Sequence, residues 1–215
     1  GFPATLGYTV WALTMVPCAI VALYIARWKL DADRRSILLG CVIGLTGSGG
    51  QLLLFQALRS GPAYIVFPLI SLFPILTIFL STVFLKERGS PRQWTGITVA
   101  LVAIAFLSYQ PSTGNDAQNS SWLFLSILVF ILWGVQAYVM KFSNYTMNAE
   151  SIFFYMMVTA VILIPVAIFM TDFSHPINTG FKGPYLAALI HVLNAVGALT
   201  LVYALRYGKA MVVVP

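Results

Sequence analysis

The feature that most restricts this chain is the long stretches that carry no charge. No Lys, Arg, Asp or Glu occurs in 36–58, 60–85, 93–115, 117–140, 151–171 or 183–205. Each window is longer than the roughly 18–20 residues a helix needs to cross the hydrocarbon of a bilayer. Only 8% of the residues are charged and 60% are hydrophobic, whereas a soluble domain carries about 25% charged residues. The expected fold class is therefore all-α, a polytopic membrane helical bundle.

The windows and their punctuation predict seven spans, at 4–26, 36–58, 63–85, 92–109, 122–140, 151–171 and 183–205, with an eighth starting near Met211. "SPRQ", Ser90–Gln93, reads as a capping box at a helix start, with Pro91 at the first helical position. "QPSTGNDAQNSS", Gln110–Ser121, is polar and turn-rich and divides the chain. The net charge of +6 could suggest nucleic acid, but the distribution of the basic residues favours the bilayer. Ten of the twelve Lys and Arg residues fall in the loops after spans one, three, five and seven, and only Arg59 and Lys182 fall in the alternate loops. That bias orients the first set toward the cytoplasm. Cys18 and Cys41 lie inside apolar segments and offer neither a disulfide framework nor a metal-ligand spacing. The sequons at Asn119 and Asn144 read as chance, one hugging the membrane and the other on the cytoplasmic side.

The chain repeats itself. "FQALRSGPAYIVFP", Phe55–Pro68, and "VYALRYGKAMVVVP", Val202–Pro215, share seven of fourteen residues at an offset of 147. Gly50 matches Gly197 at the same offset, and with a one-residue slip Ala12 matches Ala160 and Pro17 matches Pro165. Five helices separate the copies, and because five is odd the two arginines, Arg59 and Arg206, are expected on opposite membrane sides. Inverted repeats of this kind are an architecture of secondary transporters, with the substrate site near midplane between the repeats. Two inverted five-helix units imply a ten-helix parent of roughly 294 residues. This chain would then be an internal part of it, lacking the first helix and the last two.

These residues also resemble a known family. "FQALRSGPAYIVFPLISLFPILTIFLSTVFLKERGSPRQWTGITVALVAIAFLS", Phe55–Ser108, is similar to the first EamA-type repeat of the drug/metabolite transporter superfamily. The resemblance rests on a helix ending in Ala-Leu before a small turn, a proline-bearing helix closing on "LKER", and a helix opening with "QWTG". "LVYALRYGKAMVVVP" resembles the same place in the second repeat, and "FILWGVQAYVMKFS" that repeat's opening helix. On this reading 1–110 is the first repeat, 111–121 the connecting loop and 122–215 the second repeat. The resemblance implies ten helices with cytoplasmic termini and the transport or exchange of small metabolites such as amino acids, sugars or nucleotide conjugates.

Polar side chains at bilayer depth nominate a substrate site, because each needs a partner or a water-filled cavity. His191 and Asn194 share one helix face, and the repeat offset maps that face onto Gly44, Gly47, Ser48 and Gln51. Pro68 and Pro74 flank Ser71 and should kink their helix, since each removes a backbone donor. Trp133 and Gln136 are three apart on span five. The substrate-binding candidates are thus His191, Asn194, Gln51, Ser48, Ser71, Trp133 and Gln136, with helix packing as the competing role for each. Trp94 and Trp122, near helix ends, read as interface anchors. Arg59, Arg206 and Lys141 read as snorkelling cations.

The expected function is secondary transport of a small organic solute by alternating access. The alternative is a lipid-carrier flippase or channel-like member of the same superfamily. A retinal protein would need a lysine in span seven, and there is none. A subunit with no solute path would have a solid midplane. No paired carboxylates, Ser-His-Asp set or metal cluster falls at membrane depth, so neither an enzyme nor a cofactor is expected. The expected partners are a small-molecule substrate and the lipid bilayer, with a homodimer as a further option and no nucleic acid. The expected setting is multi-pass in a bacterial inner (plasma) membrane.

Overall fold

The computed structural model describes residues 1–108 and 121–215, without the side chains at positions 100, 104, 105, 107 and 108. The connecting loop proposed at 111–121 and the sequon at Asn119 lie outside the described residues, apart from Ser121 itself. Among the described residues there are helices and no strands. They are α1 Ala4–Ile25, α2 Arg34–Ser60, α3 Ala63–Ser71, α4 Phe73–Phe84, α5 Pro91–Ser108, α6 Ser121–Ser143, α7 Ala149–Ile162, α8 Ile164–Phe169, α9 Leu186–Tyr207 and α10 Ala210–Val213.

Among the described residues, six helical runs of 21 to 27 residues are long and apolar enough to cross a membrane: α1, α2, α3 with α4, α6, α7 with α8, and the run Phe181–Tyr207 that ends in α9. Helix α5 occupies the place of the fourth expected span. Large apolar side chains such as Leu13, Val21, Phe79, Phe124 and Leu193 point out of the bundle, as a surface facing lipid tails requires.

Two spans are broken by proline. Pro74 and Pro165 each sit in the first turn of the second piece, α4 and α8. A proline there supplies no N–H to the turn before it, and its ring crowds that turn. Leu72 (φ −82°, ψ −1°) and Leu163 (φ −84°, ψ −4°) take up the two breaks. Pro68, by contrast, stays inside α3. The capping box forms: the Ser90 N–H donates to Gln93 Oε1 (2.8 Å) and the Gln93 N–H to Ser90 Oγ (3.3 Å).

Helix α1 buries Tyr8, Ala12, Met15, Ala19 and Ala22, spaced alternately by four and three, which keeps one stripe inward along the helix. That stripe packs on α7, α8 and α9. Helix α2 packs on α6 and α7 through glycines. A Cβ at Gly44 would lie 1.8 Å from Thr159 Oγ1, and one at Gly40 would lie 2.4 Å from Tyr155 Cδ2. Only hydrogen at these positions lets the two helices approach so closely.

Contacts between loops define two ends of the bundle. At one end the Tyr155 hydroxyl donates to the Asp31 carbonyl (2.8 Å), Glu87 accepts from the N–H groups of Ala210 (3.1 Å) and Met211 (3.2 Å), and Lys209 Nζ donates to the Arg88 carbonyl (2.7 Å). At the other, Thr5 and Thr171 pair through their hydroxyls (2.7 Å) and the Asn178 N–H donates to the Gly1 carbonyl (3.1 Å). Arg59 reaches the Met170 carbonyl (3.4 Å), just past α8, while Arg206 reaches the Met147 carbonyl (3.0 Å), just before α7. The two arginines therefore sit at opposite ends of the α7–α8 run. The ten-residue basic set falls on the first end.

Two expectations are corrected here. Lys141 does not snorkel: it is 6% exposed and donates to the carbonyls of Leu205 (2.9 Å) and Gly208 (2.7 Å). A cation there pairs with the carbonyls that the end of α9 leaves without intrahelical donors. Trp122 is no headgroup anchor either. It is 7% exposed and packs with Leu54, Ala57 and Val66 over the turn between α2 and α3, where a Cβ on Gly61 would lie 2.5 Å from its ring.

Candidate functional site

A cavity of about 390 Å³ lies among α1, α2, α4, α6, α7 and α9. Its lining residues fall near the middle of their helices: Gly44, Gly47, Ser48 and Gln51 within α2, Asn194, Gly197, Ala198 and Leu201 within α9, and Phe73 at the break between α3 and α4. The cavity is therefore at mid-depth in the bundle.

Glycine makes the room on the α2 side. A Cβ on Gly47 would lie 2.1 Å from Gln136 Nε2, and one on Gly50 would lie 2.5 Å from Trp133 Nε1. The two α6 side chains lie across the bare backbone of α2, and the Trp133 indole donates to the Gly47 carbonyl (3.4 Å). Phe73 meets the Trp133 ring edge-on, centroids 6.0 Å apart at 83°. Across the cavity, Trp11 Nε1 donates to Asn194 Oδ1 (2.8 Å) and so ties α1 to α9. The Trp11 ring leans on Tyr8 at 5.2 Å. The Tyr8 hydroxyl donates to the Ala160 carbonyl (3.0 Å), and Ser48 is a buried part of the wall.

Five of the seven nominated residues line this cavity: Asn194, Gln51, Ser48, Trp133 and Gln136. The other two lie elsewhere. Ser71 is exposed and its hydroxyl donates to the Phe67 carbonyl (2.7 Å), back along its own helix. His191 lies one turn from Asn194 toward the start of α9, half-buried and outside the lining. Trp11, Met15, Phe73, Met140 and Met156 were not nominated, yet they line the cavity. Trp11 carried a usable signal, because an indole N–H in mid-span needs an acceptor. A methionine or phenylalanine in an apolar helix carries none, since the same residue serves a core equally well.

The lining can hold a solute through aromatic faces, thioethers and uncharged amides. It presents no nucleophile beside a base and no pair of carboxylates. Among the described residues no three His, Cys, Asp or Glu side chains cluster as metal ligands would.

The comparisons with known proteins come from sequence and from structure. Residues 4–109 match the model of the EamA-like transporter family. Over 59 residues the chain is 46% identical to an uncharacterized protein of Methanocaldococcus jannaschii, an alignment that covers 27% of this chain and 43% of that protein. The chain thus spans less than half the length of this curated relative. The fold also superposes on a crystal structure of a protein with a TM-score of 0.75 and 16% identity, over 100% of this chain and 74% of the other. At that identity the likeness speaks for the fold alone.

Proposed function

Residues 4–109 match the EamA-like transporter family, and from that match we propose that the whole chain is a secondary transporter of a small organic solute, working by alternating access between two inverted repeats. In this reading 1–110 and 122–215 are the two repeats, 111–121 joins them, and α5 is a seventh span with α10 the start of an eighth. The basic end faces the cytoplasm of a bacterial cell, the bilayer being the inner membrane. The solute is the working partner, a homodimer is one arrangement for the assembly, and the protein is no enzyme.

One observation carries the proposal: a mid-depth cavity walled by α2 and α9 at positions the repeat makes equivalent. At the offset of 147, Gly47 pairs with Asn194 and Gln51 with Ala198, and all four line the cavity. The opposite placement of Arg59 and Arg206 supports the inversion. So does the packing of α1 on α9 and of α7 on α2, which the repeat relates as one contact made twice. Transporters place their ligands at such repeat interfaces, where rocking of one unit against the other exposes the site to each side in turn. Ser71 and His191, two residues from Phe73 and three from Asn194, join the path as the repeats rock.

The test is counterflow in proteoliposomes over a panel of labelled amino acids, sugars and nucleosides. Saturable exchange of one class is expected, and the His191→Ala, Asn194→Ala, Gln51→Ala triple variant should abolish it. Exchange unchanged in the triple variant would remove the site. No saturable exchange for any panel member would remove the transport reading for these solutes.

A further inference from the structure

The cavity carries no formal charge on any of its fifteen lining residues. Of the ionisable groups near the lining, His191 lies one turn from Asn194 outside it, with no hydrogen-bond partner among the described residues, and the next two are engaged. Lys141, adjacent to Met140, donates hydrogen bonds to the Leu205 and Gly208 carbonyls. Glu150 accepts from the Tyr203 hydroxyl (2.5 Å) at the basic end. Against this uncharged lining stand three primary amides from three different helices, Gln51 on α2, Gln136 on α6 and Asn194 on α9. Asn194 has its oxygen taken by Trp11, which leaves its NH₂ as a donor. Gln51 and Gln136 have no hydrogen-bond partner among the described residues. An amide offers both an acceptor and a donor, and leaving these groups unmatched at membrane depth is unfavourable.

We propose that the cavity selects an uncharged, planar ring bearing an amide-type edge, a donor beside an acceptor, as an aromatic carboxamide or a nucleobase presents. This deepens the transport reading and rests on it for the meaning of the site. The edge pairs with the side-chain amides of Gln51 and Gln136. The ring lies against Trp133, Trp11 and Phe73, whose flat apolar surfaces suit a planar partner. Among the lining residues an anion has no cation to face, His191 standing outside them, and a carboxylate stripped of water without one is strongly disfavoured. An ammonium has aromatic faces to attract it but no carboxylate to replace its hydration.

The test uses three probes of one shape: benzamide, benzoate and benzylammonium. Each is titrated at pH 7 by calorimetry into the full chain in detergent. Benzamide should bind at least tenfold tighter than either charged probe. Gln51→Leu and Gln136→Leu should each weaken benzamide about fivefold, the value of one or two neutral hydrogen bonds. Gln136→Glu should reverse the order in favour of benzylammonium, with its thermal melt as a fold control. The selectivity of the unaltered chain decides the matter even if a variant fails to fold. Equal or tighter binding of benzoate or benzylammonium, or no binding of any probe, overturns the proposal. Counterflow of the same probes separates the two readings. A charged probe that is exchanged keeps transport and removes this selectivity; benzamide that binds without exchange keeps the selectivity and removes transport.

Discussion

Glycine is the residue on which the packing of α2 turns. Thr159 keeps its hydroxyl on the carbonyls of Tyr155 and Met156 (both 2.9 Å) and presses against the bare Cα of Gly44. A methyl group there has nowhere to go, and overpacking of this kind costs about 1–3 kcal/mol. Gly44→Ala should therefore lower the detergent melting temperature of the protein. Adding Thr159→Ala removes the atoms at 1.8 and 2.9 Å and leaves Cβ at 2.8 Å, so the double variant should recover part of the loss. Equal melting of Gly44→Ala and the unaltered chain would mean that α2 and α7 are not so close. Neither partner announces itself in the sequence. A glycine stripe suggests a close approach but does not say to which helix.

Helix ends in this protein are held by side chains from other parts of the chain. Glu87 caps α10 through the N–H groups of Ala210 and Met211. Glu87→Ala should cost about 1 kcal/mol, the usual value of an N-terminal cap, and should speed amide exchange at 210–213 ahead of α9. Unchanged exchange there would show that the cap is ornamental. A second cap is local. Asp33 accepts the hydroxyl (2.5 Å) and the N–H (3.2 Å) of Ser36, and these bonds hold its carboxyl below the ordinary range. A lowered value means that the charged form is favoured by folding. The contribution is complete above the unfolded pKa of about 3.9 and is lost as pH falls through the lower folded value. Protection of the first amides of α2, corrected for intrinsic exchange, should hold from pH 7 to about 4 and fall below that. Asp33→Ala should be unprotected throughout. A profile flat into strong acid would disprove the cap. Ser90 and Gln93 show how much of this could be read in advance, since a reciprocal cap spans four consecutive residues. Glu87 could not be read so, because its partner lies 123 residues away.

For the whole molecule the decisive property is sidedness. With Cys18 and Cys41 replaced by alanine, Arg59→Cys and Arg206→Cys should react with a membrane-impermeant maleimide from opposite faces. Arg59→Cys should label in intact cells and Arg206→Cys only after permeabilisation. Labelling of both from one face would defeat the inverted arrangement and, with it, alternating access between the repeats. The charge bias that predicts this outcome is a property of loops. It acts during insertion and needs no tertiary contact.

Length and charge-free windows were enough to establish membrane helices, because the bilayer demands internal pairing of every backbone group and sets the length of each crossing. The echo of Phe55–Pro68 in Val202–Pro215 nominated α2 and α9 as counterparts, since similarity at a fixed offset can be read in the chain itself. What tertiary structure decided was direction. It turned Gln136 and Trp133 onto the bare face of α2, tied Trp11 to Asn194, left Ser71 and His191 outside the cavity, and drew Lys141 onto the end of α9. In a bundle apolar on all sides, no periodicity separates an inward side chain from a lipid-facing one. Only the neighbouring helix does that.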